Sequence, residues 1–309
     1  MAGVSLGFDL GGTQVRAALV RDGQIVRRAA MATDVAGGPL AVMAQFGALA
    51  DLVVGSEVVQ AVGLAAPGPL DTEAGMALRI PTLPGWDGFA VRDRLAGAFG
   101  VPAVLENDGI AAAYGEWQHG AGRGLRHLVY VTVSTGIGGG VVVDGHLLHG
   151  RRGMAGHIGH MRVAEAGPVC SCGRVGCFEA LAAGRALARR GQAVADGDPA
   201  GFLGQIAVGA RVDAKHVAEG ARLGEAACLA LLREEAHCLG RGFASLAHLF
   251  SPERIIIGGG VSQVFDLMRD GLLATYRSEA MPAFRDVEIV PAGLGDNAGL
   301  IGAASLALA

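Results

Sequence analysis

At 309 residues, with 51% hydrophobic and 17% charged side chains, the chain is long enough for two cores or one large α/β unit, and its make-up excludes a disordered protein. Mean hydropathy is +0.41, but alanine and glycine raise it; no run of about 18 apolar residues occurs, so no membrane partner is expected. The formal charge of −4, with Lys215 the only lysine and the arginines scattered, argues against nucleic acid.

From Met1 the sequence runs straight into the strand-like Val4–Leu10 without a basic flank or cleavable apolar segment, so a cytoplasmic chain is expected. Apolar patterning predicts strands at Ser5–Leu10, Val15–Val20 and Gln24–Met31, a helix at Gly38–Val54 and a strand at Val58–Ala65. The turn-rich Pro81–Gly88 precedes a helix at Phe89–Phe99, a strand at Pro102–Glu106 and a helix running from Asn107 to about His119. A second block opens at His127, with strands Leu128–Ser134 and Gly140–Asp144 joined by the glycine-rich Thr135–Gly139. Beyond a Gly/Cys-rich insertion come helices near Phe178–Arg190 and Glu225–Phe250, a strand at Arg254–Ile257, a helix after Gly260, a strand at Val287–Val290 and a last helix from Asn297. Residues 191–212 carry the least pattern and are expected to form the most mobile surface loop. The alternation is that of an α/β protein, with residues 1–120 plus the returning helix 295–309 as a smaller domain and 121–294 as a larger one.

Three strand-to-glycine junctions stand out. In Asp9-Leu10-Gly11-Gly12-Thr13 the glycines let backbone N–H groups approach an anion, Thr13 adds a hydroxyl and Asp9 a carboxylate suited to hydrated Mg²⁺; a plain β-turn is the alternative. Thr135-Gly136-Ile137-Gly138-Gly139-Gly140 repeats the device with more glycines than a hairpin turn needs, and Gly258-Gly259-Gly260 is the third junction. Together they point to a nucleotide cleft. No Gly-Lys-Ser/Thr loop and no Gly-x-Gly-x-x-Gly opening is present, so the nucleotide would lie between domains.

The strand ending in Glu106-Asn107-Asp108 places an amide and a carboxylate at a strand's carboxyl end, where α/β ligand sites lie. Asp108 is a candidate base for a sugar hydroxyl attacking a γ-phosphoryl group, or else a helix N-cap. His160, Cys170, Cys172 and Cys177 supply one imidazole and three thiolates, the donor set of a closed structural zinc site, with Gly173 and Gly176 for tight turns. Cys228 and Cys238 fall in a helical stretch and read as buried thiols. The run His157-Ile158-Gly159-His160 also matches a motif of class I aminoacyl-tRNA synthetases, but the lysine loop that motif requires is missing.

In order and spacing, Asp9-Leu-Gly-Gly-Thr13, Glu106-Asn-Asp108, Ser134-Thr-Gly-Ile-Gly-Gly-Gly140, Gly159-His160, Cys170-Ser-Cys-Gly-Arg-Val-Gly-Cys177 with Glu179, and Gly258-Gly-Gly260 resemble the ROK sugar kinases along nearly the whole chain. The resemblance implies an actin-like ATPase (ribonuclease H-like) fold of two α/β domains around a nucleotide cleft, ATP and Mg²⁺ as cofactors, a sugar hydroxymethyl group beside Asp108, and a homodimer formed through the larger domain. It also implies sugar contacts from Asn107, His160 and Glu179, with His160 shared with zinc. Most glucokinases of the family have Gly-Glu-x-Gly-His where this chain has Gly156-His157-Ile158-Gly159-His160, a run shared with bacterial N-acetylmannosamine kinases. An ionised Glu only accepts hydrogen bonds whereas a neutral His donates one and accepts another, so His157 is expected to alter recognition near C1 and C2 unless it is a neutral replacement. Thr82 stands where those glucokinases usually have Asn, which weakens the glucokinase reading without selecting mannosamine. N-acetylmannosamine is therefore the expected substrate, with glucose or N-acetylglucosamine as alternatives. Sugar-sensing regulators of the same family carry an additional N-terminal helix-turn-helix, for which the strand at Asp9 leaves no expected room.

Overall fold

The computed structural model describes residues 3–309 and divides them into two compact units. The first takes the chain through Arg126 together with Gly139–Gly156 and Ala292–Ala309; the second takes His127–Gly138 and His157–Pro291. The segment 139–156, expected in the larger domain from sequence, therefore belongs to the first unit, which is the larger of the two.

In chain order the elements are β1 (Val4–Leu10), β2 (Gln14–Arg21), β3 (Gln24–Ala32), α1 (Gly38–Val54), β4 (Ala61–Ala66), the short pair β5 (Leu70–Asp71) and β6 (Met76–Ala77), α2 (Val91–Phe99), β7 (Ala103–Asn107) and α3 (Asp108–His119). Then follow β8 (Leu128–Val133), β9 (Ile137–Val143), β10 (His146–Leu147), α4 (Phe178–Ala182), α5 (Gly184–Gly197), α6 (Phe202–Ala207), α7 (Ala214–Arg222) and α8 (Ala226–Phe250). The chain closes with β11 (Arg254–Gly258), α9 (Phe265–Glu279), β12 (Glu288–Pro291) and α10 (Ala298–Leu306).

The main sheet of the first unit has the order β3-β2-β1-β4-β7. Tight turns make β1, β2 and β3 antiparallel, whereas the helical crossovers leave β4 and β7 parallel to β1. Strand alternation sends Leu6, Phe8 and Leu10 to one face, where they form a core with Phe46 and Leu49 of α1 and Leu95 of α2. Phe8 and Phe46 lie 4.7 Å apart, centroid to centroid. On the other face α10 is in backbone contact: a Cβ on Gly63 of β4 would lie 1.8 Å from the Ala303 carbonyl oxygen, and one on Gly302 would lie 1.7 Å from that of Ala111 in α3. Small residues are obligatory there because no side chain fits between the layers.

In the second unit β11 lies between β8 and β12, parallel to both. The long α8 buries Leu232, Leu239 and Phe243, and Phe178 of α4 meets Phe243 edge-on at 6.3 Å over the bare backbone of Gly242.

The structure corrects three sequence expectations. Strand β9 starts at Ile137, so the glycine loop shrinks to Ser134–Gly136, and Gly138, Gly139 and Gly140 belong to the strand. The helix expected at Phe178–Arg190 breaks at Ala183, whose φ of −82° and ψ of 163° are extended. Residues 191–212 are largely helical, in α5 and α6, and are anchored by the buried Ala195, Leu203 and Val212. The following α7, absent from the sequence expectation, starts at a capping box: Asp213 accepts from the N–H groups of Lys215 and His216, and His216 Nδ1 accepts from Asp213 N–H. Cys228 is buried and Cys238 half-buried. Among the described residues no helix is long and apolar enough to cross a membrane.

Candidate active site and metal centre

In the first unit the parallel register aligns Asp9, Ala65 and Glu106 across β1, β4 and β7, one step from the strands' carboxyl ends. The antiparallel register places Arg16 of β2 directly opposite Asp9. The Arg16 guanidinium pairs with Asp9 Oδ2 and donates to the Asp296 carbonyl oxygen at 2.8 Å. Sequence reading missed Arg16, although an opposite charge across a three-residue turn is a readable signal. Gly11 N–H donates to the Gln14 carbonyl at 2.9 Å, closing the turn, while Gly12 and Thr13 are exposed at its tip. Thr82 lies against that tip; a Cβ on Gly12 would stand 3.3 Å from the Thr82 Cβ.

At the end of β7 the question of which residue caps α3 is resolved. Asn107 has extended backbone, and its Oδ1 accepts from Gly109 N–H at 3.0 Å, so Asn107 is the N-cap and Asp108 the first helical residue. Asp108 Oδ1 shares the same Gly109 N–H at 2.8 Å. The Asp108 side chain is open to solvent, yet the surrounding protein dehydrates it, and the like charge of Asp9 adds to that. Together they raise its pKa to about 6, against the opposing hydrogen bonds from Gly109 and Asn107. An accessible carboxylate that releases its proton close to neutrality suits a general base.

Glu106 is buried, and its two oxygens are both used. Oε1 accepts from Asn107 N–H at 2.8 Å and Oε2 meets His149 Nε2 at 3.0 Å. Sequence reading gave no hint of His149, which lies 43 residues from Glu106.

Backbone approach explains part of the glycine pattern without any ligand. A Cβ on Gly140 would crowd Ile110 Cα at 3.0 Å and the Gly109 carbonyl at 3.1 Å, and Gly109 in turn presses on Gly139. In the second unit a Cβ on Gly258 would meet the Tyr130 hydroxyl at 2.3 Å, and Gly259, at φ +83°, approaches the Val133 carbonyl. Gly260 has open space instead, and Gly138 only an ordinary contact with Thr132 at 3.5 Å. Among the glycines read as phosphate-binding, Gly138 and Gly260 have side-chain positions that packing leaves free.

The loop Ser134–Gly136 is held from three sides within the second unit. Gly184 N–H, opening α5, donates to the Ser134 carbonyl at 2.7 Å, and Arg185 N–H reaches that of Thr135 at 3.4 Å. Glu179 Oε2 accepts from Ile137 N–H at 3.1 Å, while Oε1 accepts from the Ser171 hydroxyl at 3.0 Å. Glu179 thus ties the glycine loop to the cysteine loop, and a Cβ on Gly136 would strike its carboxylate at 2.4 Å.

One donor atom each from His160, Cys170, Cys172 and Cys177 lies within 4.8 Å of all the others. Cys172 Sγ and Cys177 Sγ are 3.6 Å apart, and Cys170 Sγ is 3.5 Å from His160 Nδ1. A tetrahedron with Zn–S of about 2.3 Å and Zn–N of about 2.0–2.1 Å has edges of about 3.6–3.8 Å, so the donors fit a zinc ion. In the absence of a cation, burial pushes the Cys177 thiol up to about 12; a divalent cation is what such a pocket requires to hold thiolates. With Nδ1 in this set, the other ring nitrogen of the exposed His160 is available elsewhere. His157 is exposed too, its ring stacked on that of His160 at 6.4 Å, and dehydration followed by the His160 charge lowers its pKa, which favours the neutral imidazole.

The sequence model of the ROK family matches residues 5–309. The chain belongs to the ROK family. A glucokinase of Thermotoga maritima is 36% identical over 304 residues, covering 97% of this chain and 96% of that protein. An N-acetylmannosamine kinase of Escherichia coli O157:H7 is also 36% identical, over 307 residues and 98% of both chains. A solved ROK family glucokinase from Streptomyces griseus, in complex with glucose and AMPPNP, superposes with a TM-score of 0.88 at 34% identity, covering 99% of each chain. The fold is the α/β fold of these ROK kinases, within the actin-like ATPase superfamily expected from sequence.

Proposed function

We propose that this ROK sugar kinase transfers the γ-phosphoryl group of ATP to O6 of N-acetylmannosamine, giving N-acetylmannosamine 6-phosphate. The observation that carries the reaction is the Asp108 carboxylate, accessible, raised to about 6 and relieved of the capping role by Asn107. Asp108 takes the proton of the attacking O6 hydroxyl as the new P–O bond forms and the bond to the ADP oxygen breaks. Asn107, His157, His160 and Glu179 are the side chains assigned to the sugar. Asp9, Gly11, Gly12 and Thr13, with Thr135, Gly136 and Gly138 and the Gly260 end of the third junction, are assigned to the nucleotide.

Asp9 is the carboxylate suited to hydrated Mg²⁺, and the repulsion it exerts on Asp108 is a site-specific reason for a cation there. When bound, the ion would neutralise developing phosphate charge. A structural zinc held by His160, Cys170, Cys172 and Cys177 would leave no position for water, and its role is to shape the loop that Glu179 anchors through Ser171.

The substrate rests on His157. A neutral imidazole that can donate one hydrogen bond and accept another supports recognition of an axial 2-acetamido group, where glucokinases place an acceptor-only carboxylate. The equal identity to a glucokinase keeps glucose as the second reading. Coupled ADP release with N-acetylmannosamine, N-acetylglucosamine, mannose and glucose side by side tests both. N-acetylmannosamine should give the highest kcat/KM; glucose winning by a wide margin would overturn the substrate and leave the kinase intact.

A further inference from the structure

Between the sheet and the Asp108 turn the first unit contains a chain of hydrogen bonds that the proposed chemistry does not itself use. Glu106 is the buried acid in it, and a carboxylate out of water needs both a positive partner and filled acceptor positions. His149 supplies the first. Its Nε2 lies 3.0 Å from Glu106 Oε2, and the ring also bonds the Leu147 backbone. With an acceptor at each end the imidazole is satisfied only when both ring nitrogens carry protons. The hydrogen bond to Glu106 is the largest influence raising the His149 pKa, which favours the protonated ring. The backbone of His149 is fixed as well, because its carbonyl accepts from Ala155 N–H at 2.8 Å.

From Glu106 the chain continues into the turn. Oε1 accepts from Asn107 N–H at 2.8 Å, Asn107 Oδ1 caps Gly109, and Asp108 shares that same Gly109 N–H. The residue before the base is therefore held at its main chain by a side chain that is itself held by His149. Without His149, Glu106 Oε2 loses its hydrogen-bond partner and the side chain is free to turn, which releases the Asn107 N–H and the set of the Asp108 carboxylate.

We propose that His149 is a positioning residue for phosphoryl transfer, acting through Glu106 to fix the Asn107–Asp108 turn without touching sugar or nucleotide. The proposal rests on the kinase reading for its catalytic consequence but not for the coupling of the two side chains. The test is a double-mutant cycle of His149→Ala and Glu106→Gln, with His149→Gln as the conservative variant whose amide can still donate to Glu106.

In the ADP-release assay, with rates normalised to sugar-binding sites titrated calorimetrically, His149→Ala should lower kcat about tenfold or more while KM for sugar and ATP stays within about twofold. His149→Gln should recover most of that loss, and Glu106→Gln with His149→Ala should fall no lower than Glu106→Gln alone. An unchanged kcat in His149→Ala, equal losses in the Ala and Gln variants, or losses that multiply in the double variant would each overturn the proposal. The same cycle read by denaturant midpoint should also be non-additive; additive shifts there refute the coupling even if the wild-type chain phosphorylates none of the sugars tested, an outcome that would count against the kinase reading alone.

Discussion

Replacing Asp108 by Asn should remove turnover and stabilise the fold, because the same surroundings serve the first and work against the second. The Asp108 carboxyl is raised from 3.8 to about 6 by dehydration and by Asp9. At about 1.4 kcal/mol for each pH unit between those values, the ceiling on its cost to folding is about 3 kcal/mol. The side chain is open to water, and screening reduces the expected figure to about 1 kcal/mol, or about 2 °C in Tm for a chain of this size. A carboxyl whose folded pKa lies above its unfolded one binds more protons in the native state, so its cost grows as pH rises from about 4 to about 6 and is fully present above that range. Asp108→Asn should therefore unfold later than wild type at pH 7.5 and equally at pH 4, measured by denaturant titration at both. The cap of α3 survives the change because Asn107 still accepts from Gly109. Loss of the base should lower kcat by about 10²–10⁴ with sugar affinity nearly unchanged, and wild-type kcat should fall as pH drops through about 6. Turnover within tenfold of wild type would remove Asp108 from its role. A stability gain of the same size at both pH values would refute the electrostatic account.

Three further outcomes are expected. Cys170→Ala should lower bound zinc, measured by elemental analysis, from about one per chain to near zero and lower Tm, since the remaining donors cannot close a four-coordinate site. Gly136→Ala should destabilise by about 1–3 kcal/mol in denaturant titration, because its Cβ would force the Glu179 carboxylate off Ile137 N–H, whereas Gly138→Ala should fold like wild type and raise KM for ATP. His157→Glu should shift the ratio of kcat/KM for N-acetylmannosamine over glucose towards glucose by about 10–100-fold in the coupled assay; an unmoved ratio would take substrate choice away from this residue.

Much of the candidate site is legible in residue order because its parts are local. The turn at Gly11–Thr13, the Glu106-Asn107-Asp108 strand end and the short spacings among Cys170, Cys172 and Cys177 each bring their donors together within a few residues. Periodicity also located most strands and long helices, since a period of two or of 3.6 is written into the side chains themselves. It failed at residues 191–212, where the end of α5 and the six-residue α6 are held by a few buried side chains such as Ala195, Leu203 and Val212.

Sequence alone therefore determined the class of fold, the family and the candidate base, because these follow from local patterns and their order. Tertiary structure decided what each residue packs against and which groups it bonds. It transferred the capping role to Asn107, showed Gly139, Gly140, Gly258 and Gly259 to be places of close backbone approach, and joined Glu179 to two loops at once. It also brought Arg16 to Asp9 and His149 to Glu106. The physical reason is one of range: a turn or a ligand pair is specified by neighbours in the chain, whereas a buried charge or a missing side chain is explained only by what the folded chain packs against it.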